Sequence, residues 1–369
     1  MSIRRISSVV IALGAAAGVA ACGSSSSTAT HHNTTAAPSG PPATINGSGS
    51  TLAAPIYQQW GSTLKNQNLT VNYNPVGSGA GQTQLASGVT NFAGSDPALK
   101  PADEAKFTKG TPLQFPVAFG AITVSYNLSG VKSGMKLDGP VIAEIFMGKI
   151  KTWNDSAIKA LNPGLSLPSM SITVVHRSDS SGTTDGFTKY LSAVSPTWKS
   201  QIGHGKDVVW PTGTGAKGNS GVAAAVHQTA GSVGYVEQAY ALLNGFTYAA
   251  VKNSAGSYVE PTITNTSAAA SGITIPSNLG ISTINSPNAS AYPIVSQTFL
   301  MTYKDPCKAG ASSTVASGIK RWLTYAFGAG QKTFGSGSNQ LPYAALPSDL
   351  VSKNEAQLAT MTCNGSAIS

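Results

Sequence analysis

Cysteine is nearly absent from this chain, with three in 369 residues, and charge is scarce, with Asp, Glu, Lys and Arg together making up 10%. No Cys, His or carboxylate spacing fits a metal site, so neither metal nor cofactor is expected. The formal charge of +9 is spread out. No Lys/Arg run is interleaved with aromatic residues, which excludes nucleic acid as a partner. No apolar run is long enough to cross a bilayer. The N-terminal one, Val9 to Ala21, follows Arg4 and Arg5 and has the length of a secretory leader. Removing those two arginines lowers the charge from +9 to +7.

The leader ends in Val19-Ala20-Ala21-Cys22, which resembles a bacterial lipobox. That resemblance implies a signal peptide over 1–21 and a lipidated Cys22 that tethers the protein to the outer face of the cell membrane. Residues 23–43 are Ser, Thr, Ala, Pro and Gly without an aromatic residue and read as a flexible tether. His31-His32 within it is taken as incidental. With Cys22 committed to lipid, Cys307 and Cys363 form an even pair in an oxidising compartment, and a disulfide is expected.

The remaining stretch of about 325 residues exceeds one ordinary core and predicts two lobes. Its organising element is 176–184, His-Arg-Ser-Asp-Ser-Ser-Gly-Thr-Thr, between a buried strand at Ile172 to Val175 and a helix bearing Phe187, Tyr190 and Leu191. A strand-to-helix turn of this composition aims backbone N–H groups and hydroxyls at one point at the positive end of a helix, a place for an anion. Arg177 adds a fork of donors, and Asp179 offers it a partner. Two more Gly/Ser turns feed helices: 46–51, ahead of Tyr57, Trp60 and Leu64, and 77–81, after the alternating strand Leu69, Val71, Tyr73. Asp96 closes a short apolar run, at a strand edge where open α/β sheets bind ligands.

Apolar stretches at Phe119 to Tyr126 and Ile294 to Tyr303 are expected to carry the chain between lobes, giving one lobe from 44–118 and 296–369 and the other from 119–295. Between them, a helix begun by Asp138 and strands at 172–175, 208–210 and 233–236 alternate, which argues for an α/β fold whose sheets are mixed but mostly parallel. An amphipathic helix spans Val315 to Ala326, and Ser348 is expected to cap a last helix. Gly213-Thr214-Gly215-Ala216-Lys217-Gly218 matches a dinucleotide fingerprint, but Pro211 interrupts the strand-to-glycine junction; Gly218-Asn219-Ser220-Gly221 could instead border the anion cleft.

Taken together, Gly-Ser-Gly-Ser-Thr at 47–51, Gly-Ser-Gly-Ala-Gly at 77–81, Gly-Ser-Asp at 94–96, Gly-Lys-Ile-Lys-Thr-Trp-Asn-Asp at 148–155, Leu-Asn-Pro-Gly at 161–164, Arg-Ser-Asp-Ser-Ser-Gly-Thr at 177–183 and Val-Gly-Tyr-Val-Glu at 233–237 resemble the PstS family. These are phosphate-binding receptors that feed ABC-type phosphate permeases. The resemblance implies a two-lobed periplasmic-binding-protein fold, a monomer, that closes on one inorganic phosphate ion. It places Thr51, the Leu52 amide, Ser78, Asp96, Arg177, Ser181, Gly182 and Thr183 against the ligand, with Asp179 orienting Arg177. Two departures are visible: relatives commonly carry an aromatic residue at the position of Leu52 and Gly at that of Ser180. The second bears on the loop's dihedral angles, because Ser tolerates positive φ poorly. A receptor for sulfate or molybdate is the nearest alternative, disfavoured because a carboxylate such as Asp96 repels an anion that brings no proton. A serine hydrolase built on Ser181 with His176 or Asp179 lacks the G-x-S-x-G elbow.

Overall fold

The structure is a computed structural model describing residues 40–368. The expected leader, Cys22 and all but the last residues of the expected tether lie outside the described residues. Already at Ala43 the chain enters a strand, Ala43–Gly49.

The molecule is a two-lobed mixed α/β structure around one nine-stranded sheet. Its order runs Leu69–Asn74, Ala43–Gly49, Phe92–Ser95, Val295–Tyr303, Pro112–Tyr126, Ser232–Glu237, Thr173–Arg177, Thr214–Ala216, with Thr247–Tyr248 added beside Pro112–Tyr126. The first three strands pair in parallel, as do the last three in that order. The strands between them are antiparallel. One long strand therefore serves both lobes: from Pro112 to Ala121 it pairs with Val295–Tyr303, and from Ile122 to Tyr126 with Ser232–Glu237. Continuous apolar and β-branched composition suits these strands, since helices or loops cover both faces.

Each lobe packs helices on its part of the sheet through aromatic side chains. In the first, Tyr57 and Trp60 on Ala54–Lys65 meet Trp322 of Ser313–Phe327 edge-on, with ring centroids 5.7 and 5.6 Å apart. In the second, Phe187 of Gly182–Val194 stacks on Tyr235 at 4.4 Å. Each of these rings is fully buried, and burying a large apolar side chain contributes roughly 1.5–3 kcal/mol. The C-terminal hairpin, Thr362–Cys363 with Ser366–Ala367, is fastened by the Cys307–Cys363 disulfide and by Asp305, which accepts the N–H groups of Asn364 and Gly365 at 3.0 and 2.9 Å.

Three local expectations need correction. Residues 208–210 form no strand: Val209 is 89% exposed, and the edge strand lies beyond Pro211 at Thr214–Ala216. Proline cannot donate to a ladder, so pairing starts after it. Asn46 to Gly49 belong to a strand rather than a turn, and the turn proper is Ser50 to Ala53. Ser348 is the first residue of its helix, Ser348–Leu358, and Pro347 holds the cap position without a side-chain hydrogen bond.

Candidate anion site between the lobes

Four helix N-termini converge where the two lobes meet: Ala54–Lys65 and Ser78–Ala86 from one lobe, Gly182–Val194 and Gly218–Gln228 from the other. Each leaves backbone N–H groups without an intrahelical acceptor and adds the positive end of its dipole. Ser50, Ser78 and Ser181 stand at or beside three of these starts because a short hydroxyl can accept a first-turn N–H. Ser50 Oγ takes the N–H of Ala53, just ahead of the first of these helices, at 3.1 Å, and Ser181 Oγ takes the first-turn N–H of Thr184 at 3.1 Å.

All the residues expected in the site come together, and apart from the half-buried Asp179 they are buried. Thr51 is 6% exposed, Arg177 3% and Asp96 1%. Asp96 follows the strand Phe92–Ser95, and its carboxylate is held by one edge. Oδ1 accepts Ser50 Oγ at 2.5 Å and Thr298 Oγ1 at 2.9 Å, whereas Oδ2 has only Ser78 Oγ at 3.5 Å. Burial raises the Asp96 carboxyl to about 6, against the lowering pull of Ser50, Thr298 and the Arg177 charge. Oδ2 faces the opposite lobe at Gly182. A Cβ placed on Gly182 would lie 2.4 Å from Asp96 Oδ2 and 2.5 Å from Ser78 Oγ, so only glycine permits this approach.

Arg177 ends the strand Thr173–Arg177, and its guanidinium grips Asp179 in a fork, Nε to Oδ1 at 2.7 Å and Nη2 to Oδ2 at 2.5 Å. Nη1 donates to Thr183 Oγ1 at 3.4 Å. Of five guanidinium N–H groups these contacts use three, leaving two for a ligand. Burial pushes the Asp179 carboxyl up, but the hydrogen bonds and charge of Arg177, with the Gly218 N–H at 3.0 Å, hold it below its ordinary value. Asp179 thus remains ionised and fixes the arginine.

The lobes touch directly across the cleft rim. Gly79 N–H donates to Ser180 O at 3.1 Å, and Lys206 bonds Gln82 Oε1 while its Nζ lies 3.6 Å from Asp103. Gly77 has φ +95°, and a Cβ there would meet both Asp179 Oδ2 and Ser180 O at 2.7 Å. Ser180 itself is not among the residues with positive φ, so serine fits this loop without strain; its hydroxyl donates to Asp207 Oδ2 at 2.7 Å.

Several residues of the site have no local sign in the sequence. Tyr240 and Tyr343 donate to the carbonyls of Thr51 and Leu52, both at 2.7 Å, and hold that turn. Asn219, from the Gly218-Asn219-Ser220-Gly221 segment expected as a border of the cleft, bonds both threonine hydroxyls. A signal existed for Thr298: Ser296, Gln297 and Thr298 are polar residues inside a fully buried strand, and such groups require partners. The fingerprint-like glycines also have a local use, since a Cβ on Gly213 would lie 2.7 Å from Val174 O. The hydrolase alternative lacks its base: the His176 ring stacks on Trp210 at 4.8 Å, and its Nδ1 lies 3.1 Å from Arg177 O. Among the described residues no group of carboxylates, histidines and cysteines could hold a metal.

Residues 29–329 match the model of a PBP superfamily domain. The chain is 40% identical over 320 residues to the phosphate-binding protein PstS of Xylella fastidiosa strain Temecula1, covering 86% of this chain and 85% of that one. It is 37% identical over 327 residues to PstS of Methanocaldococcus jannaschii, covering 83% of each. In fold it is similar to a high-affinity periplasmic phosphate-binding protein, PfluDING, solved with phosphate bound, at a TM-score of 0.66 and 23% identity over 85% of this chain and 93% of that one. Extended likeness in sequence to both PstS proteins, on a fold shared with solved binding proteins, leads to one conclusion: the chain belongs to the PstS family.

Proposed function

We propose that this protein is an extracytoplasmic receptor, not an enzyme, that captures one inorganic phosphate ion between its lobes and delivers it to an ABC-type permease. The observation that carries the reading is the meeting of Asp96 Oδ2 with Gly182 across the cleft, amid N–H and hydroxyl donors from both lobes. Donors surround an oxyanion, and a single acceptor-only carboxylate selects one that still bears a proton. Near neutral pH phosphate does so and sulfate does not.

In this reading Thr51, Leu52 through its amide, Ser78, Arg177, Ser181, Gly182 and Thr183 donate to the phosphate oxygens, and Asp96 accepts the phosphate proton. Ligands drawn from both lobes couple binding to closure, and the closed shape is what the permease would recognise. The protein acts as a monomer, with lobes bounded near 119 and 295, and is held to the membrane by lipid on Cys22. No described helix is long and apolar enough to cross a membrane.

Calorimetric titration of the protein lacking its leader with phosphate and with sulfate tests the function. Stoichiometric phosphate binding with sulfate at least tens-fold weaker is expected. Equal affinity for the two anions would overturn it.

A further inference from the structure

Asn219, the second residue of the helix Gly218–Gln228, is fully buried, and the ligand assignment above makes no use of it. Its Oδ1 accepts the main-chain N–H of Glu237 at 2.9 Å. That contact fixes the orientation of the amide, because only the oxygen can accept. The NH2 group therefore faces the cleft, where it donates to Thr51 Oγ1 at 2.9 Å and to Thr183 Oγ1 at 3.1 Å, one hydroxyl from each lobe.

Each threonine oxygen also has a second donor. The main-chain N–H of Asn219 reaches Thr51 Oγ1 at 3.2 Å, and Arg177 Nη1 reaches Thr183 Oγ1 at 3.4 Å. A hydroxyl has two lone pairs and one proton. With both lone pairs taken by nitrogens that can only donate, each hydroxyl retains a single capacity, to give its own proton.

We infer that Asn219 is a positioning residue that commits the protons of Thr51 and Thr183 to the bound oxyanion, and so directs unprotonated ligand oxygens to the threonines. Ordinarily a threonine hydroxyl rotates to serve as donor or acceptor. Here that freedom is removed before the ligand arrives, which strengthens each contact by preorganisation. The proton-bearing oxygen of phosphate is left to Asp96, so one amide and one carboxylate orient the ion between them. This inference rests on the reading of Thr51 and Thr183 as ligand contacts.

A double-mutant cycle on phosphate affinity tests it. Asn219→Ala and Asn219→Asp are each made in the native background and in the Thr51→Val/Thr183→Val background. The aspartate variant keeps an acceptor for the Glu237 N–H but offers the threonine protons a competing destination. Its added charge acts in both backgrounds and cancels from the coupling. In the native background each substitution should weaken phosphate binding by roughly ten- to a hundredfold, the value of one or two hydrogen bonds left misdirected. In the valine background the further loss from Asn219→Ala should fall below about threefold, and that from Asn219→Asp should shrink to the effect of its charge alone, at least about threefold less than in the native background. An equal loss in both backgrounds would show that Asn219 acts through something other than the hydroxyls and would overturn the inference while sparing the ligand reading. Native affinity in Thr51→Val/Thr183→Val would instead overturn both. Thermal melts without ligand check the fold, and Asn219→Asp carries the test if the alanine variant does not fold.

Discussion

Asp96 and Gly182 come from opposite lobes and meet so closely that a single added methyl group on Gly182 would sit 2.4 Å from the carboxylate oxygen. Gly182→Ala should therefore hold the lobes apart while leaving each lobe's fold intact. Because the added Cβ would also lie 2.5 Å from Ser78 Oγ, both partners must move. Phosphate affinity is expected to fall by at least tenfold with little change in melting temperature, and small-angle scattering with phosphate should report a larger radius than for the native protein. Native affinity in this variant would mean that closure does not bring Gly182 onto Asp96.

Asp96→Asn tests the source of selectivity. Sulfate competition against labelled phosphate should strengthen in the variant far more than phosphate binding itself changes, since a buried acceptor without a donor costs about 1–3 kcal/mol and the amide supplies a donor. The native protein should show a related pH effect: as the pH falls through about 6 the carboxyl gains a proton, so discrimination against sulfate should weaken. The stability effect has a definite sign. A carboxyl raised from 3.8 to about 6 by burial favours the folded, ligand-free protein below about pH 4, and that advantage disappears as the pH rises through about 6. It is worth on the order of 3 kcal/mol. Asp96→Asn should flatten melting temperature against pH over this window; an unaltered profile would assign the effect elsewhere.

Arg177→Ala removes the fork and leaves the half-buried Asp179 beside an anion without its partner. A loss of about 2–5 kcal/mol in phosphate binding is expected. Arg177→Lys should recover only part of it, because an ammonium cannot bond both Asp179 oxygens in a plane. Calorimetry that finds the lysine variant equal to native would reduce the role of Arg177 to bulk charge.

The disulfide closes a separation of 56 residues. Its loss through Cys307→Ser/Cys363→Ser should destabilise by up to roughly 4 kcal/mol in the chain-entropy model. The bonds that Asp305 makes to Thr362, Asn364 and Gly365 are expected to keep the hairpin docked, so phosphate affinity should not change. A parallel fall in affinity and melting temperature would show that the tail is coupled to the cleft.

Cys22→Ala should release soluble receptor with phosphate binding intact. Recovery of that variant only in the detergent-soluble membrane fraction would refute lipid anchoring at this cysteine.

The parts of the site legible in the sequence are those in which one local segment carries the whole physics. A strand, a Gly/Ser turn and a helix start within a dozen residues, as around Arg177, announce an anion site because N–H groups, hydroxyls and dipole all come from neighbours in sequence. The strand Ala43–Gly49 escaped notice because its apolar face is short, just Ala43 and Ile45 before glycines begin. More distant support could not be read. Thr298 meets Asp96 across 202 positions, Asn219 meets Thr51 across 168, and Tyr343 meets Leu52 across 291. Nothing in the composition near any of these residues states which distant group will satisfy it. Two hints existed: the buried polar run Ser296-Gln297-Thr298, which needed partners, and the Gly218-Asn219-Ser220-Gly221 segment, a candidate border of the cleft.

The strand Pro112–Tyr126 passes from one lobe to the other while hydrogen-bonded to the return strand, Val295 opposite Ala121 and Ser296 opposite Gly120. Two crossings laced together in this way behave mechanically as one flexure. Shearing or independent twisting would break ladder bonds, whereas bending across the pair preserves them. Any motion of the lobes is therefore expected to follow close to a single angular coordinate. A pair of spectroscopic labels, one on each lobe, should then report occupancy through one distance, with the ligand-bound and ligand-free populations separable along it.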